Sequence, residues 1–515
     1  MLNILLVTAF AILCSLTIAY LKGVGRRPSD YPPGPPTLPI IGNIHQLPKS
    51  QPHKQFQKWA KEYGPIYSLV LGTQVLIVIS DGAGVKELLD KKSAICSDRM
   101  PWYIGQTLCS GGQRFLMMPY GDDWRTFRKV GHQSMNSWAS KRFIPYQEVE
   151  SMQMLREMVH QPQLFYDSFR RFSNSLSTHM IFGFRTVEHD DSRLRQIYNG
   201  SLDFSTLAVA PESALFDAFP LLRHVPDFLS SVKSRAKALH KKERPFFLSF
   251  LQEAKRSLEA GNLKPCIAAD MIKAQESEGF SDQQAAYALG SWLEAGSDTT
   301  SSTMYGFACA MLLFPEVQKK AQAEIDEIIG SRLPTLDDEF SLPYIRACVK
   351  ESLRWMPVAS IGAAPHAVTR DDVYMGYKIP KGAGLVHNIY TLNMDEKRYP
   401  NPRIFDPERF YDDRQSASEA AQNPNWKLRD HYGFGAGRRI CLGMHIAERS
   451  LFLTIVRMLW AFDFSPEKDA TGKDILPDGE NLTPGLAQQP PRFRARIVPR
   501  DPKRTQIIEE AELEG

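Results

Sequence analysis

The sequence has no disulfide framework. Its seven cysteines, Cys14, Cys96, Cys109, Cys266, Cys309, Cys348 and Cys441, are an odd number scattered over 515 residues. That excludes a small disulfide-stapled secreted fold and fits a reducing compartment. No large charge excess is present either: Lys and Arg total 62 against 58 Asp and Glu, a net +4. This is too little to indicate a nucleic-acid partner. Neither a CxxC pair nor a Cys/His partner lies near Cys441, which removes zinc and iron–sulfur sites there. The stretch Leu2 to Leu21 carries no charge and has no basic segment ahead of it, unlike a cleaved signal peptide. Residues 145–265 read as several helices without a catalytic signature.

What is present divides the chain into four parts. An apolar run of about 20 residues suffices to span a bilayer, so residues 1–21 read as a single-pass anchor. The cations Lys22, Arg26 and Arg27 follow that run, placing the bulk of the chain in the cytosol by the positive-inside rule. Residues 22–43 are a basic and Pro-rich hinge, with Tyr31–Asn43 (YPPGPPTLPIIGN) a stiff extended spacer. Residues 44–499 form the body, of ordinary globular composition at 43% hydrophobic and 23% charged. Residues 500–515 are charged and read as a disordered tail.

Within the body, 66–79 reads as a hairpin broken at Gly72 and Thr73, and 373–386 as another. Residues 100–120 are irregular but rich in large apolar side chains, and 202–219 suit a lid over a pocket. From Ser281, a capping-box serine with Gln284 three residues on, no proline interrupts the chain until Pro315. One helix of roughly 34 residues, about 50 Å long, is expected. Gly296, Thr299 and Thr300 in its middle predict a local opening or π-bulge. There Asp298 and Thr299 set an acid beside a hydroxyl, a pairing able to order water and relay protons.

The stretch His431–Ser450 holds Cys441 after three glycines (Gly433, Gly435, Gly437) and two arginines (Arg438, Arg439). Such a turn allows close approach of a bulky flat group, and its N–H groups and arginines favour thiolate over thiol. The thiolate is a nucleophile or a metal ligand. With zinc and iron–sulfur sites removed, a single axial thiolate on haem iron remains.

Phe434, Gly437, Arg439, Cys441 and Gly443 stand at F-x-x-G-x-R-x-C-x-G, which resembles the haem-binding loop of the cytochromes P-450. Four further stretches match that family in order: W-x-x-x-R at Trp124 and Arg128, A-G-x-D-T-T at Ala295–Thr300, E-x-x-R at Glu351 and Arg354, and P-E-R-F at Pro407–Phe410. The resemblance covers about residues 30–498. It implies a mostly α fold with a small β-rich lobe behind the anchor, and haem b as cofactor. It makes Cys441 the iron ligand within a loop that includes Phe434. Trp124, Arg128, His366 and Arg439 become propionate partners, with Arg99 as a looser match; the other reading of His366 is a surface imidazole. Thr299 and Asp298 deliver protons, and Glu351, Arg354 and Arg409 form a structural triad. Leu442 departs from the proline common in fungal relatives of secondary metabolism.

The activity so implied is monooxygenation of an apolar or aromatic small molecule at the endoplasmic reticulum membrane, the body facing the cytosol. Electrons would come from NADPH through a separate flavoprotein reductase, with Arg125, Lys129 and Arg438 as its docking cations. A reductase-independent isomerase or dehydratase and a non-catalytic haem protein are the alternatives; retention of Asp298 and Thr299 counts against the first. Candidate pocket residues are Trp102, Phe115, Trp292, Ile361 and Leu486.

Overall fold

A computed structural model describes Leu6, Thr8 and residues 22–513. The expected anchor lies outside the described residues except at Leu6 and Thr8, and no helix among the described residues is long and apolar enough to cross a membrane. Numbering helices of eight residues or more, the order is α1 (Pro52–Tyr63), α2 (Asp122–Met135), α3 (Ile144–His160), α4 (Phe165–Phe182), α5 (Ser192–Val209), α6 (Pro211–Ala218) and α7 (Ser231–Glu259). Then come α8 (Ile267–Glu278), α9 (Asp282–Leu313), α10 (Pro315–Ile328), α11 (Pro343–Trp355), α12 (Met444–Ala461) and α13 (Pro502–Glu510). The architecture is mostly helical with small sheets, as expected.

Helix α9 is the axis. The Ser281 hydroxyl accepts from Gln284 N–H while Gln284 accepts from the Ser281 backbone, closing the expected capping box. The helix then runs 32 residues, packing on α4, α7 and α12. The expected opening near Gly296 is absent. The hydroxyls of Ser297, Thr299, Ser301 and Thr303 each donate back to the carbonyl four residues earlier. Ser173 of α4 donates to the Gly296 carbonyl at 2.8 Å. The polar side chains thus add to the helical ladder instead of displacing it.

The β lobe is a five-stranded sheet in the order β1-β2-β7-β4-β3. Strands β1 (Ile66–Leu71) and β2 (Gln74–Ile79) form the expected hairpin, and β3 (Asp98–Arg99) pairs with β4 (His366–Ala367). The segment 373–386 is not one hairpin. Only β5 (Asp372–Tyr374) and β6 (Tyr377–Ile379) pair locally; β7 (Gly384–His387) crosses to lie parallel to β2. Pro380 cannot continue the ladder, Gly382 turns the chain at φ +82°, and fully buried β7 gains more inside the large sheet.

The hinge is docked rather than free. Arg27 donates to Ser68 Oγ and to the carbonyls of Gly34 and Pro35, holding the proline run against β1. The C-terminal tail is likewise ordered, against expectation. Asp501 caps α13, Arg504 pairs with Asp326 at 2.7 Å and donates to the Trp460 carbonyl, and Ile508 is 1% exposed. Its charges find partners on α10 and α12, and its apolar residues find the core.

Candidate active site

Cys441 sits at the end of a loop built by backbone constraints. Gly435 and Gly437 take φ of +75° and +63°, a left-handed conformation that glycine adopts without strain. A Cβ at Gly437 would lie 1.9 Å from the Leu89 carbonyl oxygen. The Gly437 N–H donates to Asp90 at 2.9 Å, Asp90 is paired with Arg429, and Cys441 N–H donates to the Phe434 carbonyl at 2.9 Å. The loop is therefore a closed hairpin presenting a half-buried sulfur. Burial raises the Cys441 thiol pKa, while the Gly443 N–H and Arg128 pull it down. Arg438 and Arg439, expected beside the thiolate, turn elsewhere: Arg438 to the Tyr120 hydroxyl, Arg439 to the carbonyls of Ser97 and Met118 at 2.9 and 2.8 Å.

Around this loop the structure gathers cations. Arg439 lies 4.1 Å over the Trp124 ring. Its pKa is pushed down to about 8, by burial first and then by the adjacent charge of Arg99 and, further down, Arg128. Arg99 is buried with its pKa lowered to about 10 by desolvation, bonded to the Leu116 and Ala364 carbonyls. His366 is buried, not a surface imidazole; it pairs in register with Arg99 and Nδ1 donates to the Cys96 carbonyl at 2.9 Å. Burial and Arg99 keep the ring neutral, which leaves Nε2 an acceptor; it donates to an anion only when the ring takes up a proton. The Arg439 Nη1 and Trp124 Nε1 donors are buried without a partner. Three guanidiniums and an indole N–H converge there, and Asp98 offsets Arg99 and Arg439 only in part; that surplus of positive charge fits a group with paired carboxylates. The chemistry of this donor set, with one thiol beneath it, fits haem.

Helix α9 is buried along most of its length but exposed at Ala295 and Thr299, one turn apart. Asp298 turns away from that face toward α5, where Ser201 donates to its carboxylate; burial raises its pKa. Glu351 accepts twice from Arg354 at 2.6 Å, once from Asp406 N–H, and lies 3.5 Å from Arg409 Nε. That triad, Glu351 and Arg354 on α11 with Arg409 from the turn Pro407–Phe410, stands where the sequence places it.

The candidate pocket residues do not share one wall. Phe115 and Trp292 meet Trp124 in an aromatic cluster. Trp102 and Leu486 join Ile104, Phe204 and Leu207 under α5, whereas Ile361 packs toward Phe56 and Trp59. Sequence reading missed Arg114, which bridges Glu294 of α9 and Glu243 of α7 in the interior. The available signal was a charged residue, Glu294, in an otherwise apolar stretch of helix just ahead of Ala295.

The Cytochrome P450 family model matches residues 32–496. Cytochrome P450 monooxygenase virE of Hypocrea virens is 48% identical over 489 residues, covering 95% of this chain and 89% of that protein. FogE of Aspergillus ruber, also named a cytochrome P450 monooxygenase, is 47% identical, covering 98% and 93%. The monooxygenase fsoB of Humicola fuscoatra is 46% identical, covering 96% and 91%. A thiol-bearing loop, a surplus of buried cations beside it and a near-complete match to such proteins lead to one assignment: the chain belongs to the cytochrome P450 family, as a haem monooxygenase.

Proposed function

We propose that the protein inserts one atom of dioxygen into an apolar or aromatic small molecule, or oxidises it further, in fungal secondary metabolism. The observation that carries this reading is Cys441, half-buried at the end of its glycine loop, with the buried and unpaired donors of Arg439 and Trp124 in the cation cluster around that loop. Haem held by a thiolate activates dioxygen, the sulfur supplying electron density that favours O–O cleavage. Cys441 is the iron ligand, and Phe434 closes the loop around it. Arg99, Arg128, Arg439 and Trp124 bind the propionates, with His366 beside them. Thr299 passes protons from its hydroxyl, and Asp298, tethered to Ser201, replenishes them; its raised pKa makes it a better proton reservoir than an ordinary aspartate.

Electrons come from NADPH through a separate flavoprotein reductase. Arg125 and Lys129 are exposed on the thiolate side, each paired with an acid, Asp122 or Glu278, that a partner's carboxylate can displace. Attachment to the endoplasmic reticulum membrane is supported by a continuous edge of the molecule. Gly25 N–H, just past the anchor segment, donates to the Gly72 carbonyl, and Thr73 N–H donates to Ala218. Ala218 leads directly into Leu221 and Phe228, which are 85% and 84% exposed.

A reduced-CO difference spectrum of the purified protein tests the thiolate: the red-shifted band is expected, and Cys441→Ala loses it. NADPH and dioxygen consumption that requires both reductase and substrate separates monooxygenation from isomerisation. A thiolate band without such consumption sinks the monooxygenase reading.

A further inference from the structure

The chain enters the thiolate loop through a run whose backbone groups are pinned one after another. The Asp430 carbonyl accepts from the Tyr399 hydroxyl at 2.6 Å, and the Tyr432 N–H donates to Asn393 Oδ1 at 3.1 Å. The Gly435 N–H donates to the Tyr432 carbonyl at 2.9 Å. Between them the Gly433 N–H has a side-chain partner within the run itself: it donates to His431 Nδ1 at 3.0 Å. Asparagine and aspartate side chains close turns in this way, accepting from the N–H two residues on. Nδ1 of a histidine stands as many bonds from Cα as Oδ1 of an asparagine. His431 takes the part of a turn-forming asparagine.

The ring makes a second contact that an asparagine could not. His431 is 1% exposed, and it meets the Phe434 ring edge to face, with centroids 5.0 Å apart at 69°. The Phe434 carbonyl in turn accepts the Cys441 N–H at 2.9 Å. One side chain therefore holds Gly433 and Phe434, the residues from which the loop closes onto Cys441. Accepting at Nδ1 requires a neutral ring with its hydrogen on Nε2. Burial, with Lys350 and Arg398, pushes the His431 pKa down to about 3, so the ring is neutral at ordinary pH. Asp430 Oδ1 lies 3.7 Å from Nε2, which puts a carboxyl acceptor on the side where that hydrogen stands.

We propose that His431 is a positioning residue for the thiolate loop: by accepting the Gly433 N–H at Nδ1 it keeps Cys441 presented as the sulfur ligand. This rests on the proposed role of Cys441 as iron ligand and adds the side chain that holds it in place. The pinning partners Tyr399 and Asn393 lie 31 and 39 residues from the groups they hold, so they fix the run to the rest of the protein. His431 fixes the turn itself. Without its acceptor the Gly433 N–H loses its partner at the point where the chain bends toward Phe434.

The test separates the acceptor from the ring. His431→Phe keeps a ring against Phe434 and removes the acceptor; His431→Asn removes the ring and keeps an acceptor at the same reach. The haem-loaded proteins are titrated with urea, staying below the concentration at which far-UV circular dichroism begins to change. At each step the reduced-CO spectrum gives the ratio of the thiolate band to the shorter-wavelength band of haem that has lost its thiolate. Loss of one hydrogen bond should lower that ratio about fivefold in His431→Phe and less than about twofold in His431→Asn. A His431→Phe protein that takes up no haem, while His431→Asn loads and shows the thiolate band, supports the assignment equally. The same ratio in all three proteins, a loss shared equally by both variants, or a loss in His431→Asn alone overturns it. Failure of the iron-ligand reading is separate: it shows as a missing thiolate band in the wild type.

Discussion

Gly437→Ala probes how tightly the thiolate loop is specified. Two costs combine at this position. An alanine at φ +63° occupies the left-handed region, at about 1–2 kcal/mol. Its Cβ would also sit 1.9 Å from the Leu89 carbonyl oxygen and 2.9 Å from the Leu89 carbonyl carbon. Both are backbone atoms, more than an ångström inside ordinary contact for the oxygen, so no side chain can swing aside. Backing the loop away breaks the Gly437 N–H bond to Asp90, a charge-assisted bond worth about 1.5–3 kcal/mol. The sum is about 2.5–5 kcal/mol against a total stability of about 5–15 kcal/mol for a typical protein. Gly472→Ala isolates the first cost, since φ is +83° and nothing lies within 4 Å of its Cβ; about 1–2 kcal/mol is expected there. Urea unfolding of the haem-loaded variants, followed by far-UV circular dichroism, measures both. If Gly437→Ala is no worse than Gly472→Ala, the close approach of Leu89 does not constrain the loop and the reasoning fails.

Removing Glu351 alone leaves Arg354 buried and charged, at about 3–5 kcal/mol, whereas replacing both by apolar residues should recover much of the loss; a double-mutant cycle on Glu351→Gln and Arg354→Met that shows additive effects would refute a coupled pair. His179 is buried with neither ring nitrogen bonded, stacked on Tyr146 at 3.6 Å, and burial lowers its pKa from 6.5 to about 4. The unfolded chain binds that proton first, so stability falls as pH drops from about 6.5 toward 4, by up to about 1.4 kcal/mol per pH unit. His179→Phe should flatten the profile over that window, and an unchanged slope in acid-unfolding titrations would assign the loss to other groups. Ile508→Ala should cost about 2–4 kcal/mol in urea unfolding, as for a core residue; no change would mean that α13 does not contribute to the core.

The features legible from sequence were those in which chemistry is written in adjacent residues. The Ser281–Gln284 cap, the turn at Gly72, the loop glycines before Cys441 and the Glu351–Arg354 pair each lie within a few positions of their partners, and each stands in the structure as read. Misread segments depended on distant partners. The α9 opening failed because Ser173 on another helix braces Gly296. The tail reads as disordered until Asp326 and Trp460, far back in the chain, receive Arg504. The β7 run matches a hairpin locally but pairs with β2, some three hundred residues earlier.

By itself the sequence determined the family, because five short motifs in order, ending in the glycine-rich loop at Cys441, are each written in a few neighbouring residues. Tertiary structure alone decided the charge environment. Arg99, Arg128 and Arg439 come from three separate segments, and only folding brings their charges together, as the proposed propionate site requires. Likewise Arg114, Glu243 and Glu294 are unrelated along the chain yet form one buried polar cluster. Electrostatic energy depends on distance and burial, neither of which is a property of residue order.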